Sequence, residues 1–325
     1  MVKIVRLFED NMNEVEEKTI KELGFCAEVL VRPSTTEEEV IENAKDADVI
    51  IAVYEPLTKK VLESLPNLKM VMYRSIGFNS IDLDFANEIK LPVGHCSQYC
   101  TQEVADWVLG SILMHNRRLY DFNNSVKIDK KWDCELFPSM RRLAEQKVGL
   151  IGFGSIPRLV TKRLAAFGAD VLAYDPFVSD EDFEKLGVKK ASLEEIFEKC
   201  DYISSHLPLN ESTEKLIDKK LFSLVKEEAV FINSSRGGVV NEDDLYDALK
   251  EGKLSYAILD VLSTEQPDVY NNKLINLDKV FITPHIAFYS QDAFKQGAVD
   301  TINNIYKYFK GDYTKAELVN LKHIN

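Results

Sequence analysis

No stretch of this chain stays apolar for anything near the roughly 18 residues of a membrane span, and no basic start leads into an apolar run and a small-residue cleavage site. Membrane insertion and export are therefore not expected, and a cytoplasmic location is. Positive charge is also short: 40 Lys and Arg stand against 53 Asp and Glu, a net charge of −13. An acidic field of that size repels phosphate backbones and anionic headgroups, so neither nucleic acid nor a membrane surface is expected as a partner. The cysteines, Cys26, Cys96, Cys100, Cys134 and Cys200, are odd in number and scattered. That suits reduced thiols and not a disulfide framework. His95, Cys96 and Cys100 fall close together but lack a paired second half for a zinc site, and no metal is expected. There is no low-complexity tract and no convincing internal repeat.

What is present is a regular alternation. The 325 residues suit about two domains, and short β-branched runs alternate with helical stretches along most of them. Strands are expected at "VKIVRLF", "DVIIAVY", "LKMVMY", "VGLIGF", "DVLAYD", "DYISSHL", "AVFINS", "YAILDV" and "VFITPH". Helices are expected between them, among them Glu37 to Ala44, Ile156 to Phe167 and Glu242 to Lys250. Val104, Val108, Leu109, Ile112, Leu113 and Leu119 predict one long helix through "CTQEVADWVLGSILMHNRRLYDF", and "DAFKQGAVDTINNIYKYFKG" predicts a second. The fold class is α/β, with two Rossmann-like domains on parallel sheets. Two long helices linking two such halves predict a discontinuous domain whose ends meet across a cleft. Residues 1–99 and 288–325 then form a substrate domain, and 100–287 a cofactor domain inserted into it.

The first chemical signal is "VGLIGFGSIPRLV", Val148 to Val160. Gly152 would permit a tight turn, Gly154 would let backbone approach a pyrophosphate, and the helix beyond would offer its N-terminal N–H groups to the anion. The next strand ends on Asp175, 23 residues after Gly152, where a carboxylate accepts hydrogen bonds from an adenosine ribose and repels a 2′-phosphate. No arginine follows it, which favours NAD over NADP. An ordinary βαβ turn with no ligand is the alternative for this segment alone. Pro157 stands where a third glycine is usual. Proline is tolerated in a first helical turn, so Ser155 and Ile156 remain as phosphate-facing amides, with a slightly larger helix-to-sheet separation expected.

Three more segments carry polar residues just past strand ends, where ligands bind in open α/β sheets. "VFINSSRGG" delivers Arg236, "AILDVLSTEQP" delivers Asp260 and Glu265, and "VFITPHIAFYS" delivers His285. Arg236 has a planar fork suited to a carboxylate, although a surface ion pair would use it equally. His285 is a candidate acid and base, or a structural hydrogen-bonder. Glu265 could orient that imidazole and favour its protonated form, or be an exposed loop residue. Beside a nicotinamide site the three make one reaction class: the arginine fixes a 2-keto acid, hydride passes to C2, and the imidazolium protonates the forming alkoxide.

With "LIGFGSIPRLV", "YDP", "INSSRGGVVNEDDL", "ILDVLSTEQP", "TPHIAFYS" and "YRSIGFNSIDLDFANE", the chain resembles the D-isomer-specific 2-hydroxyacid dehydrogenases over nearly its whole length. The "HIAFYSQDA" and "YDPFVSDEDFEKLGV" stretches lean toward the branch of C-terminal binding protein, and similar "HIAFY" runs occur in D-lactate dehydrogenases. The resemblance implies Arg236 as binder of the substrate carboxylate, Glu265 as the partner of the histidine and His285 as proton donor. Asp260 would face the nicotinamide carboxamide. Leu207, Pro208 and Thr213 of "HLPLNEST" would line the cofactor, Ser234 and Ser235 join the cofactor set, and the backbone of Ser75, Ile76 and Gly77 would meet the substrate. Tyr54 and Tyr99 fall at the family's pocket positions.

Departures are Pro157, Asn79-Ser80 where Asp-Asn is frequent, and "STEQP" where "xxEP" is. The spacing of 29 from Arg236 to Glu265 is the family's own. Formate dehydrogenases of this fold have glutamine at that glutamate, which counts against formate. The resemblance also implies a homodimer formed through the cofactor domain. The expected activity is the NAD-dependent interconversion of a 2-keto acid, in a hydroxypyruvate reductase or D-lactate dehydrogenase manner, and a D-2-hydroxy acid. The alternatives are an NAD(H)-sensing scaffold of the C-terminal binding protein type and a short form of 3-phosphoglycerate dehydrogenase.

Overall fold

Parallel pairing explains why the central strand runs are apolar without alternation: helices cover both faces of each sheet, so Val49–Ala52, Met70–Tyr73, Tyr202–Ser205 and Val230–Asn233 are buried along their whole length. In a computed structural model describing residues 1–137 and 140–324, the chain divides into two compact units, Met1–Cys100 with Tyr289–Asn325, and Thr101–Phe288. In the first, β1 (Val2–Arg6), β2 (Ala27–Val31), β3 (Val49–Ala52), β4 (Met70–Tyr73) and β5 (Val93–His95) lie in the order β2-β1-β3-β4-β5. Along β3, Ile50 and Ala52 pack into one core with Val71 and Tyr73, while Val49 and Ile51 pack into another with Met70 and Met72.

The second unit holds β6 (Lys147–Ile151), β7 (Asp170–Tyr174), β8 (Lys189–Lys190), β9 (Tyr202–Ser205), β10 (Val230–Asn233), β11 (Tyr256–Leu259) and β12 (Val280–Ile282). Their order is β12-β11-β10-β9-β6-β7-β8, again parallel throughout. The order reverses between β6 and β9, and in the first sheet between β1 and β3. Such switch points open a crevice at the carboxyl ends of the strands.

The expected helices at Glu37–Ala44 and Glu242–Lys250 have those bounds, and the glycine turn opens the helix Ser155–Ala165. One expectation is corrected: the long helix through "CTQEVADWVLGSILMHNRRLYDF" is two helices, Thr101–Asn116 and Leu119–Lys127. Arg118 separates them in the left-handed region at φ 50° and pairs with Asp121 at 3.3 Å across the first turn of the second. Strands β2, β5 and β8 were not expected. Among the described residues, no helix is long and apolar enough to cross a membrane.

Candidate active site

In the seven-stranded unit the glycine turn follows β6. Gly152 has φ +93°, and a Cβ there would lie 2.9 Å from the His206 carbonyl oxygen, so both conformation and space demand glycine. Around Gly154 the opposite holds, since a Cβ there would have nothing within 4 Å. Gly154 caps the helix Ser155–Ala165 with extended backbone and no side-chain hydrogen bond. The first intrahelical bond runs from Arg158 N to Gly154 O, 3.2 Å. Pro157 thus sits among the N–H positions that precede it, where a missing donor costs the helix nothing. A helix that starts from Gly154 with no side-chain cap from that residue, and with open space where its Cβ would be, fits a dinucleotide pyrophosphate through the backbone of 154–156.

Asp175, just past β7, ties this turn to the neighbouring strand. Its carboxylate accepts from Phe153 N and from Phe177 N, each at 2.9 Å. The segment after β9 is closed by Thr213, whose hydroxyl donates to the Pro208 carbonyl at 2.6 Å and accepts from Asn210 N at 2.9 Å. Leu207 is buried at the start of that loop, and burial holds His206 well below the usual histidine range, with Nε2 against the Ser204 hydroxyl.

Arg236 is shaped by Ser235, already in the expected cofactor set, and by Asn233, which sequence reasoning did not single out. Buried Asn233, the last residue of β10, accepts from Ser235 N at 3.0 Å and from the Ser235 hydroxyl at 2.8 Å, and donates to the Arg236 carbonyl at 3.0 Å. Arg236 Nη1 donates to the Ser235 carbonyl at 2.7 Å. At Gly237 a Cβ would lie 1.9 Å from the carbonyl carbon of Leu262, so the Arg236 loop presses main chain to main chain on the segment leading to Glu265. Only the glycine in "SRGG" signals this. The Ser234 hydroxyl oxygen is buried and has no hydrogen-bond partner, a polar atom awaiting something that could satisfy it.

His285 and Glu265 meet: Nδ1 lies 2.7 Å from Oε2. Glu265 is held below its usual carboxylate range, first by that hydrogen bond, against desolvation, and further by the charges of His285 and Arg236. His285 has φ +52°, left-handed backbone that costs a non-glycine residue on the order of 1–2 kcal/mol. Asp260 holds it there. The His285 N–H donates to the Asp260 carbonyl at 2.8 Å, and the buried Asp260 carboxylate accepts from the Thr283 hydroxyl at 2.5 Å, Ile286 N at 2.9 Å and Ala287 N at 2.8 Å.

Ser75, Ile76 and Gly77 belong to the other unit, in the turn after β4. There the Ser75 hydroxyl donates to the Gly77 carbonyl at 2.6 Å, and His95 Nδ1 lies 2.9 Å from the Ile76 carbonyl. Ser80, in the Asn79-Ser80 departure, bonds the buried Tyr73 hydroxyl at 2.9 Å. Cys96 contacts Thr301 at 3.3 Å, and burial pushes its thiol up to about 12.

Residues 109–287 match the model of the D-isomer specific 2-hydroxyacid dehydrogenase, NAD binding domain. The chain is 33% identical to a D-3-phosphoglycerate dehydrogenase of Methanocaldococcus jannaschii along its whole length, spanning 60% of that protein. It is 31% identical to a hydroxypyruvate reductase of Blautia hydrogenotrophica over 93% of this chain and 94% of that one. Among solved structures, a D-lactate dehydrogenase from Aquifex aeolicus, complexed with NAD and lactic acid, superposes with a TM-score of 0.85 at 29% identity, covering 98% of this chain and 99% of that one. The chain belongs to the D-isomer specific 2-hydroxyacid dehydrogenase family and carries that family's NAD binding domain.

Proposed function

We propose that the protein is an NAD-dependent oxidoreductase that interconverts a small 2-keto acid and a D-2-hydroxy acid. The observation that carries this is the 2.7 Å contact of Glu265 with His285, in the same unit as Arg236 and the glycine cradle. NADH, when bound, supplies the hydride that reduces C2. Arg236 grips the substrate carboxylate through two parallel N–H bonds. Glu265 stays anionic and engages Nδ1 of His285, which assigns proton transfer to Nε2: it protonates the C2 oxygen during reduction and takes that proton back during oxidation.

Gly152, Gly154, Ser155 and Ile156 are assigned to the pyrophosphate and Asp175 to the adenosine ribose, where its charge favours NAD over a 2′-phosphorylated cofactor. Leu207, Pro208, Thr213, Ser234 and Ser235 complete the cofactor set, with the partnerless Ser234 hydroxyl as the member most in need of a ligand. Asp260 is assigned first as the positioning residue of His285. Its three accepted hydrogen bonds leave one of about four lone-pair sites for the nicotinamide carboxamide. In the five-stranded unit, Ser75, Ile76 and Gly77 are assigned to the substrate.

We also propose a homodimer. Leu119, Tyr120, Ile128 and Trp132, clustered in sequence in the seven-stranded unit, are all exposed, and burying them against a second copy would remove apolar surface from water. A cytoplasmic location is supported by the odd number and scatter of the five cysteines, which suit reduced thiols.

The test is NADH oxidation over pyruvate, hydroxypyruvate, glyoxylate and branched 2-keto acids. Turnover with at least one is expected. NADH binding with no turnover of any of them would instead support a nucleotide-sensing scaffold.

A further inference from the structure

We propose that the substrate's C3 substituent is uncharged: the site takes pyruvate- or hydroxypyruvate-like acids and rejects phosphorylated or dicarboxylic ones. This rests on the dehydrogenase reading above and on its assignment of Ser75–Gly77, just past β4, to the substrate.

A bound phosphate needs cations that can reach it, usually guanidinium or ammonium groups with donors still to offer. The segments following the five strands, residues 7–12, 32–36, 53–58, 74–82 and 96–100, contain two basic residues, Arg32 and Arg74, and β1 ends on a third, Arg6. All three are committed elsewhere. Arg32, on the outermost strand's exit, pairs with Asp46 at 2.6 Å and donates to the Asn43 carbonyl.

Arg6 and Arg74 form a sealed quartet with two carboxylates. Arg74 pairs with Asp10 at 2.6 Å and with Glu16; Arg6 pairs with Glu16 at 3.1 Å and with Asp10. The Arg6 side chain is 0% exposed and that of Arg74 3%. The one nitrogen on each that has no partner, Nε, is itself shielded from solvent. Two positive and two negative charges cancel past the ends of β1 and β4.

The remaining charge at these strand ends is negative. Glu55, after β3, directs its carboxylate to Val53 N at 2.7 Å and Tyr54 N at 3.1 Å, Asp82 caps the helix Leu83–Glu88, and Glu9 is exposed. The histidine here, His95, turns Nδ1 onto the Ile76 carbonyl. Lys295, on the nearby helix Gln291–Phe309, is exposed, about 200° around the helix from Gly297, which faces Tyr99 and Arg74. At these strand ends a dianionic substituent would therefore lose its hydration, find no cation with donors to offer and meet like charge. A methyl or hydroxymethyl group meets none of these penalties.

The experiment compares kcat/KM for pyruvate and hydroxypyruvate with that for 3-phosphohydroxypyruvate and oxaloacetate. We expect the charged acids to be poorer by about 100-fold or more, with the gap narrowing as salt screens the repulsion. Glu55→Gln keeps the acceptor for Val53 N and removes the charge; it should raise kcat/KM for 3-phosphohydroxypyruvate several-fold while hydroxypyruvate changes little. A phosphorylated acid used as well as hydroxypyruvate would overturn the proposal and leave the dehydrogenase reading intact. So would a ratio unmoved by both salt and Glu55→Gln. No turnover of any acid by a protein that binds NADH would overturn both.

Discussion

The two sheets share a parallel, doubly wound plan and differ in how the charged residues at their carboxyl ends are paired. After β1 and β4 of the five-stranded sheet, the polar residues face one another: Arg6, Glu16 and Arg74 are buried, Asp10 is half-buried, and the four are paired and charge-balanced. Past β6, β10 and β12 of the seven-stranded sheet, space, pairing or backbone conformation departs from that closure. A Cβ at Gly154 would meet no atom within 4 Å, the Ser234 hydroxyl has no hydrogen-bond partner among the described residues, and His285 is held in a left-handed backbone state. Strand order alone marks both ends as ligand sites. The difference lies in charge: the quartet is balanced within itself, although Arg6 Nε and Arg74 Nε lack a hydrogen-bond partner, whereas at the other end the Arg236 charge acts on the Glu265–His285 pair.

That contrast can be broken by exchange of roles. His285→Gln should lower kcat by about 10²–10⁴-fold, the range of a general acid, while NADH affinity, read by fluorescence titration, and the unfolding midpoint stay close to the wild type. A His285→Gln protein with full kcat would move the proton donor elsewhere. In the quartet the effects should reverse. Glu16→Gln leaves two arginines facing one carboxylate and should destabilise the five-stranded unit by about 3–5 kcal/mol, seen in thermal or urea unfolding, with NADH affinity unchanged. A variant as stable as the wild type would mean the cluster is not what holds that unit's strand ends together.

The smallest effect sharpens the comparison most. Ser234→Ala removes a buried hydroxyl that has no partner, so the protein without cofactor should be no less stable, and by up to about 1 kcal/mol more so. NADH binding should weaken by several-fold. If stability falls and NADH binding does not, the hydroxyl is satisfied within the protein and the seven-stranded end is less open than it looks.

Much of this site was legible because its chemistry is local. Gly152, Gly154 and Asp175 lie on one strand-turn-helix-strand unit, and Arg236, Glu265 and His285 each sit a few residues past an apolar run. The supporting residues were not legible. Asn233 reads as an ordinary end of "AVFIN", and nothing near Arg6 in "VKIVRLF" announces that Glu16 and Arg74 will neutralise it, because that pairing spans 58 residues between Glu16 and Arg74. Strand β2 escaped notice since its residues are all only half-buried, and β8 because it is two lysines. The break at Arg118 carries neither glycine nor proline, so helical periodicity runs through it unmarked.

Those two lysines have a consequence for how the protein keeps company. The seven-stranded sheet ends on Lys189–Lys190 at one margin and on the three residues Val280–Ile282 at the other. A foreign strand arriving edge-on finds few backbone donors and acceptors to pair with, and at one margin it also meets two ammonium groups. This sheet is poorly suited to growing into a neighbour, even at the concentrations where exposed strands begin to template aggregates. Any assembly it enters must be built from side chains meeting face to face, which leaves the choice of partner open to discrimination in a way that backbone pairing does not.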